Sequence, residues 1–196
     1  MNLPQLVTAP VKTPVTLAEA KAHLRVDITD DDTLINGLIN AATDYLDGYS
    51  GILKKALITQ TWSITAPCFK SNKIYLNLDP VSSVTSIQYY DADNVQQTIN
   101  AANYALYKDA GGSYIKPTSG NNWPAVYNRD DAVVITFAAG YGADESAVPN
   151  NIRQAIFLLI AHWYENREAV VVGSVTPSEL PMAFNALLAG HRTIEV

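Results

Sequence analysis

The chain is poor in cysteine: Cys68 is the only one in 196 residues. A single cysteine excludes an intrachain disulfide framework, and a zinc site would have to find its ligands elsewhere. Histidine is nearly as scarce. His23, His162 and His191 contain no i, i+4 pair of the kind that holds zinc on one helix face. Lysine and arginine form no cluster, and 13 basic against 19 acidic residues leave a net charge of −6. That balance argues against gripping nucleic acid through its phosphates, but not against lying beside DNA. The most apolar stretch, Ala155 to Ala161, is far shorter than a membrane span. Met1 to Gln5 has no basic patch leading into an apolar run, so no signal peptide is expected. The expectation is a soluble protein that folds in the cytoplasm.

Motifs of catalysis are missing as well. The sequence contains no G-x-S-x-G elbow, no P-loop and no G-x-G-x-x-G. Gly111-Gly112 sits in a hairpin context, not between a strand and a helix. Asp27 and Asp30 to Asp32 suggest calcium at first sight, but the spacing fails. Counted from Asp27, the glycine position of an EF-hand is Asp32 and its glutamate position is Leu38. Capping of the following helix explains these aspartates without a metal. No nucleophile–base pair can be named, so no enzyme and no cofactor are expected.

What the chain does have is a core. Hydrophobic residues make up 48% and charged residues 16%, enough for one domain or a domain with an insertion. Residues 1–15, with Pro4, Pro10 and Pro14, predict an extended arm. Thr16 and Glu19 have the spacing of a capping box, opening a short helix. Leu34, Ile35, Leu38, Ile39, Ala42, Tyr45, Leu46 and Tyr49 repeat at helical spacing, with Gly51 as the stop. From Leu57 the period changes to two. Strands are predicted at 57–65, 74–78, 84–90, 95–99, 104–108, 114–116 and 132–138, and Gly140-Tyr141-Gly142 closes the region. Helix returns after Pro149. Residues 152–164 are apolar on most faces, which requires burial by the same domain or by neighbouring subunits. Residues 168–180 read as an exposed loop with an uncovered apolar patch, Val170, Val171 and Val172. Pro181 opens a last helix, 182–189, closed by Gly190.

The fold class expected is α+β: a small helical bundle from both ends of the chain, 16–51 and 149–190, interrupted by an antiparallel β-module, 57–140. The 34–49 helix has to bury its stripe, and 152–164 offers the apolar surface. Eleven tyrosines and three tryptophans leave a carbohydrate-binding reading open. Tyr75, Tyr89, Tyr104 and Tyr107 fall in strand patterns and are read as packing residues. Trp123-Pro124, in a Gly/Asn-rich loop, is the better candidate for an exposed contact.

The order of elements and several short motifs resemble the head–tail connector (adaptor) proteins of tailed bacteriophages and gene transfer agents, in the branch with a β-insertion. The likeness runs through Glu19 to Val26, Asp30 to Asp32, Leu34-Ile35, Leu38-Ile39 and Ser50-Gly51. It continues at Gln60-Thr61-Trp62, Leu76 to Val81, Ile87 to Asp91 and Trp123-Pro124. It closes with Ala138 to Gly142, Val148-Pro149, Tyr164 to Glu168 and Leu187-Leu188 followed by Arg192. Two departures are Asn94 at a turn-glycine position and His191 where an aromatic residue is usual. The resemblance implies a structural virion protein at the head–tail junction, present in the host cytoplasm before assembly. It implies a ring below the portal protein, dodecameric in the particle, that extends the DNA channel and docks a tail or neck completion protein. DNA would pass through without specific binding, and no membrane is involved. Arg167, Val170, Val171, Val172 and Arg192 are the expected protein-interface residues. The alternative is a virion-associated carbohydrate-binding or host-recognition module.

Overall fold

The computed structural model describes residues 3–166 and 182–192. Among these residues, four α-helices come from the two ends of the chain: α1 (Leu17–Leu24), α2 (Asp32–Leu46), α3 (Asn150–Glu165) and α4 (Met182–Leu188). The capping box at the start of α1 is present in both directions. Glu19 N–H donates to Thr16 Oγ1 at 3.2 Å, and Thr16 N–H donates to Glu19 Oε2 at 3.0 Å. Two orphan amides of the first turn are thereby satisfied. Arg25 ends α1 in the left-handed conformation, and its amide reaches back to Ala22 and Lys21 carbonyls.

The aspartates before α2 work differently from expectation. Asp31 occupies the N-cap position, but its side chain makes no capping bond. It accepts instead from the Tyr164 hydroxyl of α3. Asp32 pairs with Lys21 of α1 at 2.5 Å. Glu19, besides capping its own helix, meets Arg153 of α3 at 2.5 Å, and Arg153 Nε donates to Pro14 O. Three carboxylates thus tie α1, α2 and α3 together through side chains.

One apolar core joins these helices. It contains Ala20, Ile35, Ile39, Ala42, Leu46, Ile152, Ala155, Ile156, Leu159, Ile160, Phe184 and Leu188, with Val15, Leu53, Leu57 and Val148 from the connections. The buried stripe of α2 is narrower than the sequence period suggests: Ile35, Ile39, Ala42, Thr43 and Leu46 are inside, while Leu34 and Tyr45 are exposed and Leu38 is half-buried. The helix stops at Leu46, three residues before Tyr49. Gly51 is not its cap; it lies where a Cβ would sit 2.3 Å from the Asp47 carbonyl oxygen. Ile152, Ala155, Ile156, Phe157, Leu159 and Ile160 of α3 are buried within the chain, whereas Leu158, Ala161 and Trp163 are half-buried.

Among the described residues there are eight strands: β1 (Gln5–Thr8), β2 (Gln60–Ala66), β3 (Ile74–Tyr75), β4 (Val81–Tyr90), β5 (Gln96–Thr98), β6 (Tyr104–Asp109), β7 (Gly112–Pro117) and β8 (Val133–Ala139). They form two antiparallel sheets, ordered β1-β2-β8-β4-β5 and β3-β7-β6. Residues 5–8 of the extended arm are thus the edge strand beside β2. In β2 the alternation is regular, with Gln60, Trp62, Ile64 and Ala66 buried. They face Val133, Ile135, Phe137 and Ala139 of β8 in register. Ile74, Ile115 and Tyr104 of the small sheet join Ile64, Ile87, Ile135 and Phe137 of the large one in a second apolar core. The 74–78 run yields only two strand residues, because Asn77 takes a left-handed backbone (φ 52°) that breaks the pleat.

Asp47 links the helices to the large sheet. Its carboxylate accepts from Leu57 N–H at 2.6 Å and from the buried Gln60 amide at 2.9 Å. Burial raises its pKa above the usual aspartate value, against the lowering effect of these hydrogen bonds. Nearby, Gly140 (φ 141°) leaves β8 so close to the chain that a Cβ would lie 2.5 Å from Thr59 Cα. Only glycine fits there.

Candidate functional site

The outer face of the small sheet carries a row of polar and aromatic side chains. The register places Tyr75 opposite Tyr114 and Tyr114 opposite Tyr107, so three tyrosines line up across β3, β7 and β6. Side chains two apart share a face, which adds Lys73, Lys116 and Asp109 to the row. Ring centroids are 5.5 Å apart for Tyr75–Tyr114 and 5.6 Å for Tyr107–Tyr114. Lys73 Nζ lies 4.3 Å above the Tyr114 ring and Lys116 Nζ lies 5.1 Å above Tyr107. Tyr114 is buried by this stack, whereas Tyr107 remains 40% exposed.

Asp109 organises one end of the row. It pairs with Lys73 at 2.9 Å and accepts from the Tyr75 hydroxyl at 3.0 Å. The hydrogen bond from Lys73 holds Asp109 below the usual carboxylate range and pushes Lys73 up. The same carboxylate raises the Tyr75 phenol. Lys116, at the other end, has no carboxylate partner among the described residues. It borders an open groove of about 450 Å³ with Tyr107, Asn72, Pro117 and Asn121. Of the tyrosines expected to pack, Tyr104 is buried in the second core and Tyr89 packs against it; Tyr75 and Tyr107 belong to this outer row. Sequence periodicity cannot reveal the row, because it arises from cross-strand register.

Two further exposed features lie elsewhere. The turn between α1 and α2 presents Asp27, Ile28, Thr29 and Asp30, all exposed, with Ile28 58% accessible. The edge strand β1 and its flanks expose Leu3, Leu6, Val7 and Val11.

Of the interface residues expected from the sequence, Arg192 is exposed and donates to Asn185 Oδ1 at 2.9 Å. Arg167, Val170, Val171 and Val172 lie outside the described residues. Trp123 is not a free contact. It stacks on Phe69 with centroids 4.7 Å apart and planes 6° apart, against the second core. His23 stacks on Phe157 at 5.2 Å. Among the described residues no cluster of His, Cys, Asp or Glu has the makings of a metal site. Nor is any helix among them long and apolar enough to cross a membrane.

The chain belongs to the head completion protein family, whose model matches residues 14–178. Three solved chains resemble it over its whole length. One, from the virion of a native gene transfer agent particle, is 29% identical, with all of this chain and 97% of that one covered and a TM-score of 0.79. A second, from the neck of an empty particle computed with C6 symmetry, gives the same figures. A third, from the neck of a native particle computed with C12 symmetry, is 27% identical with the same coverage and a TM-score of 0.73. No curated protein matches the chain.

Proposed function

We propose that the protein forms a ring at the head–tail junction, below the portal, lengthens the DNA channel and offers the next neck or tail protein a docking surface. The observation that carries this reading is the full-length likeness to chains of gene transfer agent necks, structures computed with six-fold and twelve-fold symmetry. A ring of identical subunits follows from one head-to-tail contact whose rotation divides the circle. The two apolar cores support a division into a connector, 16–51 with 149–190, and an inserted module, 57–140. The net charge of −6 supports passage of DNA without retention, since a wall that binds few phosphates releases few counterions. Arg192 remains a candidate contact at the C-terminal end.

The test is genetic. Deleting the gene should leave filled heads that do not join tails, and supplying the protein in trans should restore joining. Normal joining in the deletion strain refutes the reading. A carbohydrate-binding role predicts hits on a glycan array, with the groove beside Tyr107 as the place they would map to; the connector reading predicts none.

A further inference from the structure

Charge is segregated along this chain. Residues 54–116 hold six lysines and four aspartates, whereas residues 1–53 hold three basic and seven acidic side chains. The two exposed features described above stand on opposite sides of that division. The lysine–tyrosine row of the small sheet ends in Lys116, which faces an open groove with no carboxylate of its own. The turn between α1 and α2 projects Ile28 between Asp27 and Asp30, and neither aspartate has a cation partner among the described residues. Its base is fixed: Lys21 holds Asp32, and Tyr164 holds Asp31. An apolar tip flanked by two carboxylates matches a groove with an aromatic wall, a proline and a free ammonium group.

We propose that, in the ring, the Asp27–Asp30 turn of one copy docks into the Tyr107–Lys116 groove of the next. The inference rests on the ring reading and names its subunit contact. The occupant is a second copy of this chain, and charge decides the mode. Either patch facing its own counterpart across a two-fold axis would set like charges together. Asp27 and Asp30 meet Lys116 only when two different patches face each other. Where each copy gives its turn to one neighbour and its groove to another, that contact repeats around a ring. Lys73 is already neutralised by Asp109, so Lys116 is the residue left to receive the turn.

Disulfide trapping in assembled particles tests this without touching the charges. Thr29 sits in the turn and Ser119 lines the groove; in a Cys68→Ser background, Thr29→Cys and Ser119→Cys together should give a ladder of cross-linked multimers on mild oxidation, and neither cysteine alone should. Multimers with a lysine-reactive cross-linker but no disulfide ladder would leave the ring standing and overturn this contact. No multimers with either reagent would overturn the ring reading and this contact together. A Ser119→Cys cross-link to a different virion protein would also overturn it. A charge exchange gives a second reading: Asp30→Lys or Lys116→Glu alone should lower the number of copies retained per particle severalfold. The two combined should restore it, while thermal melts of the free variants shift by no more than about the few degrees that a charge beside a helix N-terminus accounts for.

Discussion

Two neighbouring residues of α2 offer the sharpest test of how the helical core is packed. Ile39 is 2% exposed within the core that joins α2 to α3, whereas Leu38, the next residue, is only half-buried at its margin. Ile39→Ala removes three carbons from a sealed site. At about 0.8 kcal/mol per buried methylene the transfer loss is about 2.4 kcal/mol, and the cavity left behind raises the total to about 3–4 kcal/mol. Leu38→Ala removes as many carbons, but water and mobile neighbours fill the space, so a loss of about 1 kcal/mol is expected. For a chain of this size a 3 kcal/mol loss lowers Tm by roughly 6–12 °C. Urea titrations followed by circular dichroism at 222 nm measure both variants directly. Equal losses, or a larger loss for Leu38, would mean that α2 presents a different face to α3.

Further outcomes follow from other contacts. Gly140→Ala should destabilise well beyond the ~1 kcal/mol of an average substitution, because its Cβ meets the Thr59 backbone; a melt within 1 °C of the parent would refute that approach. Burial pushes the Glu19 carboxyl up, but the Thr16 amide and hydroxyl and the Arg153 guanidinium together hold it below the usual glutamate value. The ionised form therefore stabilises the fold above the unfolded-state pKa of about 4.3, and that stability is lost as pH falls through the lower folded-state value. Glu19→Gln should melt lower at pH 7 and lose less on acidification, and parallel Tm–pH curves would contradict the assignment. Duplex DNA should show no retarded band at physiological salt, whereas a tight complex with steep salt dependence would contradict the charge argument.

Local signals were readable in the sequence because their partners are close in the chain. Thr16 and Glu19 are three apart, and their reciprocal bonds follow from that spacing alone. Gly111-Gly112 turns the hairpin between β6 and β7 where expected. The rotation of α2 was less legible. Leu34-Ile35 and Leu38-Ile39 are apolar pairs, and periodicity admits either member as the inward one; contact with α3 selects the second. Leu76 to Leu78 reads as strand by composition, but the left-handed Asn77 ends it. Trp123 reads as an exposed contact in the sequence because Phe69, the ring it stacks on, is far away in the chain. The lysine–tyrosine row had no sequence signal at all. Tyr75, Tyr107 and Tyr114 come from three strands, and only the pairing of those strands puts them side by side.

The ring proposed for the particle neck is open to direct observation. A cryo-EM reconstruction of the neck of the particle that encodes it tests this directly. A closed ring is expected between portal and tail, on the channel axis, into which this fold fits once per subunit, with the α1–α2 turn of each copy against the small sheet of its neighbour. A neck whose density is fully explained by other proteins, or this chain found only outside the channel axis, would contradict it.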